Sequence, residues 1–567
     1  MEILVKKTLS IRSATLPRAG PRGEVYYISD VTGSMQLWQF DGLTHDVVVP
    51  WEGRVSDYRI SQNGVVAAAC DINGDEKWRI YLVDGDMKPV STEGVNTLGV
   101  WSPDGRKLAF TSSRDDPQNF SVYIYDGEVE KAVQLSGINT VEEWSEAGLF
   151  ITHYESNLDS TILLYKDGEV KELTKHAGEA LNYSPKYIDG KLMFLSNIDW
   201  EYTGIAVMDL TTGNWKYIVQ LDRNVEFFDV WGNYMAFVVN EEGNSGLYHM
   251  HLPSGLTHKI VTPRGVITSL QYRYGRLLFS LSSINKGHEV YVYTDGVVRQ
   301  LTNSPKYRTP LDKIPEPKST YYISHDGRKI QANLYYPPGE PRGTVVYLHG
   351  GPESQDRPEL KPLVLALLIS GFLVAAPNYR GSTGFGKSFV HLDDRERRWD
   401  AIRDVEAFVK WLHESGIARD KPCALGGSYG GYLTLMALAT APELWACGVE
   451  IVGIFNLVTF LERTAPWRRK YREAEYGPLE NKELLYQLSP AAHVEKIKAP
   501  LMIVHGANDI RVPVYEAEQL AQRLRELGRH VEVIILPDEG HGITKVENRV
   551  RVYTAVVKFI ENFKRET

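Results

Sequence analysis

A short strand that ends in a tight turn recurs seven times in the first 300 residues. Clear examples are residues 81–85 (YLVDG) and 123–127 (YIYDG), where Asp-Gly supplies the positive φ angles that a tight hairpin needs. The turn glycines are residues 42, 85, 127, 168, 213, 255 and 296, so successive turns lie 41 to 45 residues apart. This period is typical of four-stranded propeller blades, whereas an array of β-sandwich domains would not keep so regular a spacing. The sequence therefore predicts a seven-bladed β-propeller over residues 23–303.

The second half of the chain changes its periodicity. Four prolines, at positions 305, 310, 315 and 317, mark residues 304–318 as a linker. Beyond the linker, short apolar strands such as residues 501–504 alternate with helical stretches such as residues 515–527. This alternation favours a mostly parallel sheet that is covered by helices on both faces. We expect an α/β domain over residues 319–567 and a separate N-terminal extension over residues 1–22.

A candidate nucleophile follows one of the apolar strands of the α/β domain. Gly426-Gly-Ser428-Tyr-Gly430 fits the nucleophile elbow G-x-S-x-G, a strained turn from strand to helix that exposes the serine hydroxyl above a sheet. The motif alone is weak in a chain with 48 glycines, but it has the flanks it requires, an apolar strand over 421–425 and an apolar helix over 432–440. We therefore predict an α/β-hydrolase fold for this domain.

The partners of the serine are predicted from their order in the chain. A serine becomes nucleophilic when an imidazole accepts its proton and an acid orients the imidazole. In α/β-hydrolases the acid and then the histidine follow the serine, on loops after strands. Asp509 follows the strand at 501–504, and His541 follows the strand at 531–536. The sequence predicts the triad Ser428, Asp509 and His541.

Other titratable residues near these loops compete for the same roles. His505 precedes the acid and lies too close to its strand end, and His530 precedes the last strand, at the wrong edge of the sheet. Asp538 and Glu539 come only two or three residues before His541, so we expect them to shape its loop. Glu450 lies inside a strand, where a buried carboxylate with its hydrogen bonds satisfied is expected.

An oxyanion hole needs two N–H donors that point at the developing negative charge. One is expected from the backbone of Tyr429, immediately after the nucleophile. The other is expected from Gly351, in the segment His349-Gly-Gly-Pro352 that follows a strand. These glycines allow a close approach of the backbone to a substrate.

A phosphate-binding loop is the alternative that residues 381–388 (GSTGFGKS) raise, because they satisfy G-x-x-x-x-G-K-S. Such a loop must run directly into a helix, but residues 389–398 are rich in charge and have no apolar stripe. The pattern therefore does not predict nucleotide binding, and we expect no cofactor and no metal.

Composition excludes several classes of protein. A net charge of −9 leaves no electrostatic footprint for nucleic acid. Cys70, Cys423 and Cys447 are too few and too scattered for a disulfide framework, which favours a reducing compartment. Residues 1–18 lack the apolar core of a signal peptide, and the longest apolar run, 363–369, is too short for a bilayer. We expect a cytoplasmic enzyme without a membrane partner.

The motifs together resemble the prolyl oligopeptidase family of serine peptidases, and the resemblance extends over nearly the whole chain. Within the family, the HGGP segment and the loop before His541 are most similar to acylaminoacyl peptidases, which release an N-acylated residue from a blocked peptide. The segments that carry the resemblance are residues 349–352 (HGGP), 378–382 (NYRGS), 426–431 (GGSYGG), 508–509 (ND) and 540–542 (GHG).

The resemblance implies short or N-blocked peptide substrates, a propeller that limits substrate size, and a homo-oligomer, with a dimer favoured. It implies that Phe455, Trp467 and Tyr471 line the pocket for an apolar side chain, with core packing as an equal alternative. Acylaminoacyl peptidases have an N-terminal helix that packs on the hydrolase domain, but residues 1–22 are not clearly amphipathic. Glu142-Glu143 matches the amine-binding glutamates of the dipeptidyl branch, although an acidic pair on a turn is usually solvated.

Alternative functions follow from the same residues. A prolyl-type oligopeptidase, a dipeptidyl peptidase or a carboxylesterase would use the same triad. From another class, the chain could be a non-catalytic propeller scaffold with an inert hydrolase domain.

Overall fold

The computed structural model describes residues 2–48 and 50–565, and it confirms the seven-bladed propeller. Each blade is an antiparallel sheet of four consecutive strands. In chain order the blades are β1 to β4 (Ala14–Ala19, Val25–Ser29, Gln36–Phe40, His45–Val47), β5 to β8 (Arg54–Ile60, Val66–Asp71, Arg79–Val83, Met87–Ser91), β9 to β12 (Asn96–Trp101, Leu108–Ser112, Ser121–Tyr125, Val129–Val133), β13 to β16 (Ile138–Ser145, Gly148–Ser156, Asp159–Lys166, Glu169–Glu172), β17 to β20 (Asn182–Ile188, Lys191–Ser196, Gly204–Asp209, Trp215–Val219), β21 to β24 (Val225–Trp231, Tyr234–Glu241, Asn244–His251, Leu256–Ile260) and β25 to β28 (Val266–Arg273, Arg276–Ser283, Gly287–Thr294, Val297–Gln300).

The repeated glycine has one structural role in every blade. It lies in the turn between the third and fourth strands, and all seven glycines have positive φ, between 67° and 104°. Residues with a Cβ rarely adopt this conformation, so the turn keeps its glycine while the strands around it vary. The period detected in the sequence is therefore the period of this turn.

The propeller begins earlier than the sequence predicts. Strand β1 lies within the expected extension 1–22 and pairs with β2, so the boundary at residue 23 is wrong. The ring closes where β1 meets the last blade, through a hydrogen bond between Thr15 and Ser280 and another from the Ala19 N–H to Gln271 Oε1. Because the first blade supplies all four of its own strands, the closure depends on side chains and packing.

The second half is an α/β-hydrolase domain, as predicted. Its eight strands lie in the order β29-β30-β32-β31-β33-β34-β35-β36; the pairs β29–β30 and β30–β32 are antiparallel and all the others are parallel. The strands are β29 (Lys318–Ile323), β30 (Lys329–Tyr335), β31 (Thr344–Leu348), β32 (Leu373–Pro377), β33 (Cys423–Gly427), β34 (Cys447–Ile451), β35 (Leu501–Gly506) and β36 (Val531–Leu536). The helices, including one before the propeller, are α1 (Glu2–Leu9), α2 (Pro362–Ile369), α3 (Lys387–Val390), α4 (Arg398–Glu414), α5 (Tyr429–Thr440), α6 (Leu457–Arg463), α7 (Pro466–Tyr476), α8 (Lys482–Gln487), α9 (Tyr515–Glu526) and α10 (Val546–Arg565).

Helix α1 belongs to the hydrolase domain, although it precedes the propeller in sequence. Val5 and Leu9 are buried in the same apolar cluster as α2 and α10. Arg549 of α10 donates hydrogen bonds to the carbonyl oxygens of Leu9 and Ile11, at 2.9 and 2.8 Å, and so satisfies acceptors that the end of a helix leaves free. The structure thus supplies the packed N-terminal helix that the sequence pattern left in doubt.

The cysteines give no support to the predicted reducing compartment. Cys423 and Cys447 lie directly opposite each other on the adjacent parallel strands β33 and β34, and they form a disulfide. Cys70 is free and buried in the propeller. The scatter of the cysteines along the sequence is therefore no argument for a reducing compartment.

None of the helices in residues 2–48 and 50–565 is long and apolar enough to cross a membrane.

Candidate active site

Ser428 lies in a sharp turn between β33 and α5. Its backbone has φ 57° and ψ −121°, a conformation that non-glycine residues rarely adopt. The neighbouring glycines are required by space: a Cβ at Gly426 would lie 2.1 Å from the Gly430 oxygen, and a Cβ at Gly430 would lie 2.0 Å from the Leu348 oxygen. The turn has the geometry of a nucleophile elbow, with the serine held at the carboxyl end of a central strand.

The structure brings Ser428, His541 and Asp509 into one hydrogen-bonded chain. The Nε2 atom of His541 lies 3.0 Å from Ser428 Oγ, and its Nδ1 atom lies 2.7 Å from Asp509 Oδ2. The three residues come from three loops, after β33, β35 and β36, which meet at one edge of the sheet because these strands are parallel. This arrangement can transfer a proton from serine to histidine while the carboxylate stabilises the imidazolium.

The carboxylate of Asp509 is fixed on both oxygens. Oδ1 accepts hydrogen bonds from the backbone N–H groups of Arg511 and Val512, at 2.8 and 2.9 Å, while Oδ2 faces His541. Burial alone would raise the pKa of Asp509, but the charge and hydrogen bond of His541 outweigh it and hold the pKa below its ordinary value. Asp509 is therefore ionised at neutral pH.

The competing residues make other contacts. Asp538 pairs with Lys545 at 2.8 Å, and Glu539 accepts hydrogen bonds from the backbone of Thr544 and Lys545. His505 Nε2 lies 2.8 Å from the Val512 carbonyl oxygen and 3.6 Å from Asp509 Oδ2. The two carboxylates hold the loop that carries His541, as expected from their sequence positions.

The segment after β31 packs against the nucleophile. A Cβ at Gly350 would lie 3.4 Å from the Cβ of Ser428, and Gly350 and Gly351 both border the cavity at this serine. His349 is stacked on Tyr379 and lies 2.8 Å from Ser382 Oγ, and burial lowers the pKa of His349 to about 4. The imidazole is therefore neutral at pH 7 and anchors the glycines. Tyr429 begins α5, so its N–H has no partner within the helix.

A cavity of about 460 Å³ opens beside Ser428 and His541, between the two domains. Four hydrolase residues give it an apolar side: Ile454, Phe460, Tyr476 and Val512. Three propeller residues border it from the opposite side: Asn157, Leu158 and Leu181. The cavity can hold one apolar side chain and a few flanking atoms.

None of the three predicted pocket residues lies at this cavity. Phe455 is buried in the hydrolase core. Trp467 packs edge-to-face on Phe120 of the propeller, with ring centroids 5.7 Å apart, and the Tyr471 hydroxyl donates to the Tyr154 carbonyl oxygen at 2.5 Å. The pocket prediction is therefore wrong: Trp467 and Tyr471 join the domains.

Sequence reasoning missed three arginines that border the cavity, Arg468, Arg472 and Arg511. The first two lie one turn apart on α7, next in sequence to the predicted aromatic pair. Arg511 follows the triad acid by two residues. The available signal was helical spacing on α7, which places residues 468 and 472 on one face.

The predicted acidic pair has a different location and environment. Glu142 and Glu143 border a second cavity of about 450 Å³, in the propeller tunnel, together with Lys186. Both side chains are partly buried, and this burial raises both pKa values, that of Glu143 to about 7. Glu142 accepts a hydrogen bond from the Ser184 N–H at 2.7 Å. The pair is partly buried in the tunnel and does not border the cavity at Ser428.

The segment that resembles a phosphate loop is an interdomain contact. It runs into α3, which has only four residues. Lys387 Nζ donates to the Glu179 carbonyl oxygen of the propeller at 3.0 Å, and the Ser388 N–H donates to Glu201 Oε2 at 2.9 Å. These contacts account for the lysine and serine of the motif.

A propeller loop touches the loops that carry Asp509 and His541. This blade-2 loop, residues 72–78 between β6 and β7, accepts a hydrogen bond at the Asn73 carbonyl oxygen from Asn508, at 2.9 Å. The Asn73 side chain also bonds to Lys545 at 3.1 Å. Glu76 pairs with Arg511 at 2.7 Å. The propeller therefore helps to position the triad.

We expect Gly74→Ala to lower kcat/KM without unfolding the protein. Gly74 has φ 74°, and a Cβ there would lie 2.4 Å from the backbone nitrogen of Gly540, next to His541. The methyl group must push the two loops apart, and a displacement of about 1 Å at a catalytic group costs roughly a hundredfold in rate. The measurement is anilide hydrolysis, alongside the thermal unfolding midpoint.

Gly85→Ala is the matched control. Gly85 lies in the same blade with φ 67°, and nothing lies within 4 Å of a Cβ built there. It therefore carries the same backbone cost without the contact to Gly540. Equal activities of the two variants would contradict the positioning role of the blade-2 loop.

A buried carboxyl group lies behind the nucleophile helix. Glu450 of β34 accepts a hydrogen bond from the Gly453 N–H at 2.7 Å, and Oε1 is buried with no hydrogen-bond partner among the described residues. Burial raises the pKa of Glu450 to about 8; the Gly453 bond opposes this, and the nearby carboxyl group of Glu516 adds to it. Glu450 is therefore protonated at neutral pH.

This pKa predicts a pH dependence of stability. The folded protein holds the proton more tightly than the unfolded chain, whose glutamate titrates near 4.5. The contribution of Glu450 to the free energy of unfolding is therefore complete below pH 4.5, and it is lost as the pH rises through about 8. The glutamine of Glu450→Gln has the same shape as a protonated glutamate but does not titrate. The wild type should therefore lose stability relative to the variant as the pH rises from 4.5 to about 8. Unfolding midpoints measured across this range test it, and parallel curves would contradict it.

The comparisons with known proteins match the second half of the chain to a family model. Residues 359–566 match the model of the prolyl oligopeptidase family. "Dipeptidyl peptidase family member 6" of Caenorhabditis elegans is 34% identical over 244 residues, which are 42% of this chain and 33% of that protein. "Acylamino-acid-releasing enzyme 1" of Oryza sativa subsp. japonica is 28% identical over 250 residues, 42% of this chain and 32% of that protein. The chain thus matches about a third of the length of these curated relatives.

Among solved structures, the acylaminoacyl peptidase of Pyrococcus horikoshii is similar over both domains. The TM-score is 0.76 at 21% sequence identity, and the alignment covers 98% of this chain and 97% of that one. At this identity the likeness supports the fold, a propeller joined to an α/β-hydrolase domain.

Proposed function

We propose that this chain, whose residues 359–566 match the model of the prolyl oligopeptidase family, is a serine peptidase that releases N-acylated amino acids from short peptides. One observation carries the proposal: Ser428, His541 and Asp509 form a continuous hydrogen-bonded chain, and Ser428 and His541 border a cavity. Such an arrangement has no structural purpose of its own, since the strained serine turn costs stability.

The proposed reaction is acyl transfer to water in two steps. His541 Nε2 takes the proton of Ser428 as Oγ attacks the peptide carbonyl, and Asp509 stabilises the imidazolium. The backbone N–H groups of Tyr429 and Gly351 hold the negative oxygen of the tetrahedral intermediate. His541 then protonates the leaving amine, and a water molecule, activated by the same imidazole, releases the acyl group from Ser428.

The charges at the cavity support a blocked N-terminus. A dipeptidyl peptidase must pair the free amine of its substrate with carboxylates. The acidic pair Glu142-Glu143 lies in the propeller tunnel, and Glu353, which borders the cavity, is already paired with Arg472 at 3.4 Å. A neutral acyl group fits this environment better than an ammonium group.

A panel of four chromogenic substrates tests the proposal. It comprises N-acetyl-leucyl anilide, glycyl-leucyl anilide with a free amine, an N-blocked glycyl-prolyl anilide, and a p-nitrophenyl butyrate ester. We expect the highest kcat/KM among the anilides for the N-acetyl substrate. Preference for the free amine would favour dipeptidyl release, which the 34% identity to the nematode relative keeps as the second candidate.

We also propose a cytoplasmic location and a homo-oligomer with a dimer favoured; the resemblance supports the oligomer. Light scattering during gel filtration gives the mass in solution, to be compared with 64.1 kDa for one chain.

A further inference from the structure

Helix α7 presents one pair of side chains to the propeller and another pair to the cavity at Ser428. Trp467 and Tyr471, one turn apart, contact the propeller. Arg468 and Arg472, shifted by one residue, border the cavity at Ser428. The helix therefore ties the domains together with its aromatic pair and adds positive charge to the cavity with its arginine pair.

Two of the three cavity arginines already have carboxylate partners. Arg472 lies 2.6 Å from Glu475 and 3.4 Å from Glu353. Arg511 lies 2.7 Å from Glu76 of the blade-2 loop. These pairs account for the positive charges of Arg472 and Arg511 within the protein.

Arg468 is different. Among the residues that the structure describes, no carboxylate oxygen lies within 4 Å of its guanidinium, and the centroid of the Trp467 ring lies 5.2 Å away. Its Nε atom is buried without a hydrogen-bond partner. Burial and the neighbouring charges of Arg472 and Arg511 lower the pKa of Arg468 to about 10, against the opposing charges of Glu76 and Asp509, so Arg468 is still charged at neutral pH. Arg468 is partly buried and lacks a close carboxylate partner, an environment that favours the binding of an anionic group.

We propose that Arg468 binds a carboxylate of the substrate, an inference that rests on the proposed peptidase function. The planar guanidinium can donate two parallel hydrogen bonds to a carboxylate, and the cavity gives a ligand at Ser428 access to it. Substrates with an acidic group close to the scissile bond are then preferred over neutral isosteres. The carboxylate has two possible sources, the acyl side of the substrate or the free C-terminus of a short leaving peptide.

Two matched pairs of substrates distinguish the sources. For the acyl side, N-succinyl-leucyl anilide is compared with N-succinamoyl-leucyl anilide, which replaces the carboxylate by an amide. For the leaving side, N-acetyl-Leu-Ala is compared with N-acetyl-Leu-Ala amide. In one pair we expect the wild type to favour the acid by about tenfold to a hundredfold in kcat/KM, the range of a charged hydrogen bond. In Arg468→Gln the same ratio should fall to about one.

Lys470→Gln is the matched control for charge. It removes one positive charge from the same helix, but Lys470 is exposed and pairs with Glu155 outside the cavity. The ratio of acid to amide should be kept in this variant. A ratio near one in both pairs for the wild type, or a ratio that survives Arg468→Gln, would overturn the inference. If the wild type cleaves neither member of either pair, the proposed function itself fails.

Discussion

Ser428→Ala should abolish hydrolysis of N-acetyl-leucyl anilide, with a loss of about a millionfold in kcat, as expected when the nucleophile of a serine peptidase is removed. The Oγ atom lies 3.0 Å from His541 Nε2, and no other hydroxyl takes its place in the turn. Alanine keeps the Cβ, so the strained backbone of residue 428 is unchanged and the thermal unfolding midpoint should stay close to that of the wild type. Initial rates and circular dichroism measure the two effects.

Ser415→Ala serves as its control, because this serine lies at the end of α4, where its hydroxyl donates to the Leu412 carbonyl oxygen. A fluorophosphonate probe adds an independent readout: the wild type and Ser415→Ala should be labelled, and Ser428→Ala should not. Labelling that persists in Ser428→Ala, or turnover within tenfold of the wild type, would refute the assignment. An inert hydrolase domain would leave all three proteins unlabelled.

The features that could be predicted from the sequence are those that local rules determine. The blade turn requires glycine at positive φ, so its period is visible without any tertiary information. The elbow requires small residues around Ser428, since the space at Gly426 and Gly430 is taken by backbone oxygens. The positions of Asp509 and His541 follow from strand order, because parallel strands bring their carboxyl ends together.

The substrate cavity was mispredicted because the choice of helix face depends on the other domain. Aromatic residues suit both an apolar pocket and an interdomain contact, and nothing local distinguishes them. Here Phe120 and the Tyr154 carbonyl oxygen of the propeller engage Trp467 and Tyr471. The same helix then turns Arg468 towards the cavity. The wall that was predicted to be aromatic is therefore cationic.

The N-terminal segment was mispredicted because long-range contacts determine its structure. Helix α1 has eight residues, too few for a stable isolated helix, and α2, α10 and Arg549 supply its packing and its cap. Strand β1 likewise depends on β2 and on the seventh blade, some 250 residues away. The pairing of Cys423 with Cys447 depends on the register of β33 and β34, which residue spacing does not reveal.

Asp509→Asn is expected to lower kcat by about ten-thousandfold, the loss that follows when a triad aspartate is replaced by its amide. Because Oδ1 accepts hydrogen bonds from the Arg511 and Val512 N–H groups, an asparagine must keep its oxygen there and place its NH₂ group at the position of Oδ2. That NH₂ group faces His541 Nδ1, which must then be the unprotonated nitrogen. The proton moves to Nε2, and the imidazole can no longer accept the proton of Ser428.

Asp538→Asn isolates this effect from a general loss of negative charge near the histidine. Asp538 lies in the His541 loop and pairs with Lys545 at 2.8 Å, so its amide variant should loosen the loop and lower kcat by less than about tenfold, because the tautomer of His541 is unaffected. Steady-state rates of the two variants, with unfolding midpoints to exclude misfolding, give the comparison. A larger loss in Asp538→Asn than in Asp509→Asn would transfer the role of the acid to Asp538, and the 2.7 Å contact between Asp509 and His541 would then be structural.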